Sequence, residues 1–167
     1  MEFKIWPLHG ISLRDVNDRG SLREFVFLPD RLTHPPQWVP PIYSEDMALF
    51  DSRKNLAFRY CSVRLLLAYR NGKPVGRIAG IINHRANSFR NERHARFGFL
   101  EAGDDPDVVS ALVSEIESWA GAMGTDSLIG PMGFTDQDPQ GMLVEGFDTM
   151  PLIATNYNSP ALPLILE

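Results

Sequence analysis

The sequence predicts an α/β protein of the α+β kind, a central mixed, mostly antiparallel sheet flanked by helices. Three observations predict it. Residues 61–70 alternate, with Val63, Leu65, Leu67 and Tyr69 on one face, and Asn71-Gly72 follows. That pair favours a tight hairpin, because both positions accept positive φ. Residues 75–83 then read as the return strand and 95–101 as a third, so the middle of the chain is a meander. Finally, Val108, Leu112, Ile116, Trp119 and Met123 recur at helical spacing. Such a stripe packs as core against a sheet.

The remaining elements follow in chain order. Residues 2–8 read as a short strand. Leu22, Phe25, Val26 and Leu28 predict an amphipathic helix, interrupted near Pro29 because proline cannot donate to the preceding turn. The HPPQWVPP run at 34–41 is extended by its proline content, with Trp38 as its anchor. A second short helix is expected over 43–50 and a loop over 55–59. Gly76 and Gly80 permit close approach of a neighbouring backbone. A polar loop with Arg85, Arg90 and Arg93 leads to the third strand, whose Phe97 and Phe99 are expected to share a face. Asp104-Asp105-Pro106 opens the long helix, since Asp caps free N–H groups and proline is tolerated at the first position. Gly124 closes it. A short buried strand is expected over 126–130 and another strand end over 153–157.

At 167 residues the chain is large enough for one domain, 1–167, with one real core. With 44% hydrophobic and 22% charged residues it is not a disordered chain. No apolar run approaches the length that spans a bilayer, and no signal-peptide pattern opens the chain, so the cytoplasm is the default address and no membrane partner is expected. The single cysteine, Cys61, excludes an internal disulfide. Charge is divided unevenly: all 16 Lys and Arg lie at or before Arg96, while the 12 Asp and Glu from Phe97 onward have no Lys, Arg or His among them. Either the two halves pack together and neutralise one another, or the acidic half faces something basic, such as a cationic substrate or a missing part of the chain.

Residues 130–148, GPMGFTDQDPQGMLVEGFD, hold four glycines, two prolines and four carboxylates. Residue type rather than a helix or strand period dictates their backbone, and a long irregular segment of this kind is usually functional. Asp136, Asp138, Gln140 and Gly141 imitate the start of a calcium loop. The twelfth position is Phe147 where a glutamate is needed, so no metal site is assigned. The Asp side chains are expected instead to bond nearby backbone N–H groups. Glu145 and Asp148 stand among Met142, Leu143, Val144 and Phe147, an apolar setting that would raise a carboxylate toward general-base use; a hydrogen-bonded loop acid is the alternative. His84 and His94 lack zinc spacing and read as solvated. The cluster Arg85, Arg90, Arg93 and Arg96 has few aromatics, so a solvated or internally paired loop is expected rather than a nucleic-acid surface.

The phrases WVPP (38–41), LLLAYRNGKPVGRIAGIINHR (65–85), RFGFLE (96–101), GPMGFTDQDPQGMLVEGFD (130–148) and TNYNSP (155–160) resemble the GNAT superfamily of acyl-CoA-dependent N-acyltransferases, in particular a poorly characterised bacterial GNAT-like family. The resemblance implies acetyl-CoA or another acyl-CoA as donor, its pantetheine arm along the strand edge at Phe97, Gly98 and Phe99. It also implies a small-molecule amine as acceptor, with Glu145 and Asp136 orienting or deprotonating it. Gly133, Phe134, Thr135, Asp138, Asp148, Tyr157 and Asn158 would then line the substrate cleft.

Two departures qualify the implication. Residues 100–106, LEAGDDP, replace the family's glycine-rich pyrophosphate turn. A helix N-terminus is a natural anion site, but Glu101, Asp104 and Asp105 would repel a diphosphate, Pro106 removes a donor, and one glycine makes no cradle. Family domains also continue through a helix, often bearing a catalytic tyrosine, into a final hairpin; here 158–160 start such a helix and the hairpin is lacking. The expectation is a lobe incomplete at its C-terminus, with acyl-CoA supplied by another lobe. The rival expectations are a non-catalytic binding or homodimerisation module and, more weakly, a metal-binding acidic loop.

Overall fold

The computed structural model describes residues 4–6 (backbone only), 10–32, 34, 36–152 and 155–167. It is an α+β fold around a mixed six-stranded sheet in the order β1-β2-β3-β4-β5-β6. The strands are β1 (Lys4–Trp6), β2 (Ile11–Asp15), β3 (Cys61–Arg70), β4 (Lys73–Asn83), β5 (His94–Glu101) and β6 (Ser127–Ile129). Successive strands are antiparallel up to β5, and β5 pairs with β6 in parallel. The hairpin between β3 and β4 turns at Asn71 (φ 51°) and Gly72 (φ 76°), both in the left-handed region.

Five helices join them: α1 (Arg19–Phe27), α2 (Tyr43–Leu49), α3 (His84–Arg90), α4 (Pro106–Ala122) and α5 (Ala161–Leu166). Asp18 caps α1, accepting from Ser21 N at 2.8 Å, and a 3-10 turn at Pro29–Arg31 follows where proline stops the helix. One face of the sheet packs on α4 and α5. There Ile11, Leu13, Leu66, Ile78 and Phe97 meet Val108, Leu112 and Ile116, with Leu162, Ile165 and Leu166 against them. The other face packs Leu65, Leu67, Tyr69, Ala79 and Ile81 against Phe25, Val26, Leu28 and Phe50 from the α1–α2 side. The halves of opposite charge neutralise one another across the first interface: Arg64 bonds Glu115 at 3.0 Å, and Arg70 pairs with Asp105.

Several expectations need correction. β2 was not visible in advance, since only Ile11 and Leu13 mark its buried face. Residues 56–59 form a 3-10 turn, and the expected arginine loop contains α3, capped by Asn83. Gly76 and Gly80 admit helix side chains more than backbone: a Cβ at Gly76 would sit 2.5 Å from Val108 Cγ1, and one at Gly80 would sit 2.8 Å from Ile116 Cδ1. Met123 leaves the apolar stripe, being 48% exposed. β6 is only half buried, and Thr155–Tyr157 is not strand. Ile153 and Ala154, the start of that expected strand, lie outside the described residues.

The most consequential correction concerns β5. Phe99 has φ 53°, and the register passes from Ala79↔Gly98 to Arg77↔Glu101, so three residues of β5 span two of β4. This is a β-bulge, and it reverses the alternation beyond it. Phe97 therefore faces α4 while Phe99 faces Phe50, their rings 4.8 Å apart at 81°. The same reversal puts Glu101 on the α1–α2 face, beside Arg77.

Candidate functional site

Three features meet at the end of the sheet where β5 and β6 finish. The first is the mouth of α4. Asp105 caps it, accepting from Asp107 N at 3.1 Å and Val108 N at 3.3 Å. Arg70, the last residue of β3, pairs with the same carboxylate, and Ser159 bonds Asp104 alongside. Burial pushes the Asp105 carboxyl up, but the bonds from Arg70 and the helix N–H groups outweigh it and leave the group below its ordinary range. The donors that would hold an anion are thus taken by the chain's own side chain.

The second feature is the irregular segment 130–148. β5 and β6 are paired only from His94↔Ser127 to Arg96↔Ile129. Beyond them the chain passes a cis Gly130-Pro131 bond and lies along β5, with Met132 N donating to Phe97 O at 2.7 Å. A Cβ on Gly98 would sit 2.5 Å from Met132 O, so glycine lets the bend touch the strand. The edge at Phe97 and Gly98, expected to carry a pantetheine arm, is occupied by this bend. Phe134, expected to touch substrate, is 1% exposed and anchors the bend in the core, 5.6 Å from Phe58 and 6.3 Å from Phe50 by ring centroids. Asp138 accepts from Thr135 N at 2.8 Å, the backbone-holding role expected of a loop Asp, and a Cβ on Gly133 would strike it.

The rest of the bend is clamped by the segment before α5. Asn158 accepts from Leu143 N at 2.8 Å and donates to Leu143 O at 3.1 Å. Asn156 donates to Gly141 O, and Tyr157 donates to Phe147 O, both at 2.7 Å. Tyr157 and Asn158 therefore hold the bend's shape. Asp136, Glu145 and Asp148 are exposed on its outside. The apolar enclosure expected around Glu145 does not form, since Val144 beside it is 70% exposed.

The third feature went unnoticed in the sequence. Arg77 is 3% exposed, lies over the Phe25 ring at 5.1 Å, and donates from Nη1 to Phe25 O at 2.9 Å. Its Nε has no hydrogen-bond partner among the described residues. Glu101, Asp46 and Tyr43 all bear on its charge. Burial pushes Glu101 above the ordinary carboxylate range, with Arg77 and His34 pulling the other way. Burial likewise raises Asp46 against the pull of Arg77. The Tyr43 phenol is pushed up to about 12 by burial and by its bond to Asp30. His34 stacks on Trp38 with centroids 3.7 Å apart, placing the proline-rich arm beside this cluster. Carboxylates that are partly desolvated and face one buried cation can hold a proton, or an organic cation, near neutral pH. Only the bulge brings Glu101 here, which is why strand alternation concealed it.

Elsewhere the candidates are inert. Burial pushes the Cys61 thiol up to about 11, which removes it as a nucleophile near neutral pH. His84 shares a hydrogen bond with Ser62 at 2.8 Å, and His94 lies 3.4 Å from Glu92. No three His, Cys, Asp or Glu among the described residues are placed to hold a metal ion.

Fold and site together define a class: an α+β protein with helices on both faces of a mixed sheet, an acidic cap at the mouth of its long helix and a buried arginine–carboxylate cluster at the same end. In sequence the chain is similar to a bacterial ceramide synthase of Caulobacter vibrioides, with 32% identity over 150 residues, 89% of this chain and 39% of that protein. It is also similar to protein YghO of Escherichia coli, with 30% identity over 151 residues, 89% of this chain and 38% of that one. The chain thus spans about two-fifths of the length of these curated relatives. No protein-family model matches it, and no solved structure does. Among the described residues, no helix is long and apolar enough to cross a membrane.

Proposed function

We propose that this chain is the acceptor-side lobe, of GNAT type, of an acyl-transferring enzyme, and that the acceptor is a long-chain amine. A ceramide is a fatty amide of a long-chain amino alcohol, so the name of the Caulobacter relative denotes joining an acyl group to an amine. The observation that carries the reading is the bulge at Phe99, which turns Glu101 toward Arg77. Glu101 and Asp46 outnumber the buried guanidinium and suit an ammonium group. A carboxylate raised toward neutrality can take the ammonium proton and leave the neutral amine as nucleophile. Asp136, Glu145 and Asp148, exposed on the bend, attract the cation from solution. The donor, an acyl-CoA, is assigned to a part of the enzyme outside this lobe, because Asp105 and Arg70 close the mouth of α4.

The test is amide formation by the full-length protein, supplied with acyl-CoAs and long-chain amines of graded length and followed by mass spectrometry. Glu101→Gln is expected to lower kcat by about a hundredfold without lowering the melting temperature. Unchanged kcat would remove Glu101 from the chemistry. If no pairing gives product, the second reading stands, a binding module that keeps the fold; the closed anion site favours that alternative.

A further inference from the structure

We infer that the opposite end of the sheet is a docking surface for an anionic lipid bilayer, with Phe89 as the side chain that enters it. This inference does not rest on the acyl-transfer reading. The register puts the start of β3 beside the end of β4 (Cys61↔Asn83) and the starts of β5 and β6 together (His94↔Ser127). Three connections therefore share this end: residues 50–60, residues 84–93 including α3, and residues 123–126. They carry six cations, Arg53, Lys54, Arg59, Arg85, Arg90 and Arg93, all exposed, against three carboxylates, Asp51, Glu92 and Asp126, an excess of three positive charges. Asp51 and Asp126 are spent on Arg53 and Arg93.

In the middle stands Phe89, 91% exposed, with Leu56 63% exposed on the neighbouring connection. Phe89 is not on a loose turn. Asn83 caps α3 by accepting from Ala86 N at 2.9 Å, Asn87 donates to His94 O at 2.9 Å, and the Arg85 guanidinium lies 4.5 Å over the Tyr60 ring. Asn91 ends the helix in the left-handed conformation. The fold thus holds a phenyl ring out in water on a helix that also carries Arg85 and Arg90.

A phenyl with flanking guanidiniums matches the boundary between anionic headgroups and acyl chains: the ring enters, and the arginines stay at the phosphates. A nucleic-acid strand would need a groove with several stacking rings, and this end offers one. The far end of the sheet, at the mouth of α4, carries Asp104, Asp105 and Asp107 together with Arg70 and Lys73. The excess of three positive charges on these connections would orient the molecule on an anionic surface with α3 inward. Contact of this kind is peripheral, reversible and weakened by salt.

Cosedimentation of the full-length protein with phosphatidylcholine vesicles, with and without phosphatidylglycerol, tests this directly. Binding is expected only with phosphatidylglycerol and is expected to be lost at high salt. Phe89→Ala and the pair Arg85→Glu with Arg90→Glu should each reduce it at least severalfold, while Glu117→Gln on the exposed side of α4 should not. Fluorescence of Phe89→Trp should shift to the blue on mixing with the anionic vesicles. Equal binding to neutral vesicles, or undiminished binding by the charge-reversed pair, would overturn the proposal. So would binding to nucleic acid without binding to vesicles, or Phe89-dependent self-association without them, which would assign the surface to another partner.

Discussion

Arg70 and Asp105 are joined across the mouth of α4, so the last residue of β3 neutralises the cap of the helix that covers the sheet. The pairing makes the cap strong and the mouth closed. Two effects can be separated by substitution. Asp105→Ala removes the acceptor for Asp107 N and Val108 N and is expected to cost about 1–2 kcal/mol. Asp105→Ser keeps a cap, leaves Arg70 only its longer 4.0 Å pairing with Asp107 and removes a negative charge, so it should gain measurable affinity for inorganic pyrophosphate over the parent. Calorimetry decides it, and a parent protein that binds pyrophosphate at this helix would refute the closed-mouth description.

The lowered ionisation of Asp105 also fixes a sign. Its folded value lies below the ordinary 3.8. A carboxyl depressed on folding contributes stability that is present above its unfolded value and lost as pH falls through the folded one. The parent should therefore lose stability on acidification below about pH 4, and Asp105→Asn should lose less over the same range. Denaturant midpoints measured through that window check the prediction.

Glu101 carries the opposite sign. Burial raises its folded value above the ordinary 4.5, and Asp46 is raised from 3.8 for the same reason. The native state then binds the proton more tightly than the unfolded chain, so its contribution is full below the ordinary value and fades as pH rises through the folded one. Glu101→Gln should flatten this decline above about pH 4.5, leaving the smaller part due to Asp46. Urea midpoints from pH 4.5 upward measure it. Parallel profiles for parent and variant would show that Glu101 is not desolvated.

How much of this was legible in advance depends on which physics set each feature. The β3–β4 hairpin and α4 were readable because local sequence determines them: Asn71-Gly72 selects the turn, and Val108, Leu112 and Ile116 mark the buried stripe. The acidic cap at the mouth of α4 was readable from Asp104-Asp105-Pro106, although its partner Arg70 was not, since it arrives from 35 residues away. Nothing local announces the bulge at Phe99, because RFGFLE reads as an unbroken alternation. Phe97 and Phe99 were therefore expected to share a face, and nothing in the sequence connects Glu101 with Arg77. Conversely, Glu145 had apolar neighbours in sequence that are not neighbours in space.

Close packing at two glycines gives a test of the layers. A Cβ at Gly76 would meet Val108 and Leu112 from α4, at 2.5 and 3.0 Å. Gly76→Ala should cost about 1–3 kcal/mol through overpacking. At Gly98 the obstacle is the Met132 carbonyl, backbone that cannot rotate away, so Gly98→Ala should displace the bend from β5. Stability of the first variant and amide exchange at Met132 in the second are the measurements. A neutral Gly76→Ala would mean that α4 sits further from the sheet.

The clamp on the bend offers the last test. Asn158 is the one side chain among the described residues that bonds both the N–H and the carbonyl of a bend residue, Leu143. Asn158→Ala leaves both groups without that partner, at a cost of about 1–3 kcal/mol if water cannot replace it. The loss should be local, because the bend's other anchor, Phe134, is packed independently between Phe50 and Phe58. Limited proteolysis should therefore cut the variant between 141 and 152 faster than the parent, while the cooperative melt of the sheet moves little. Asn158→Asp keeps the acceptor for Leu143 N but loses the donor to Leu143 O, so it should fall between the two. Equal proteolysis of all three proteins would mean that Asn156 and Tyr157 hold the bend alone.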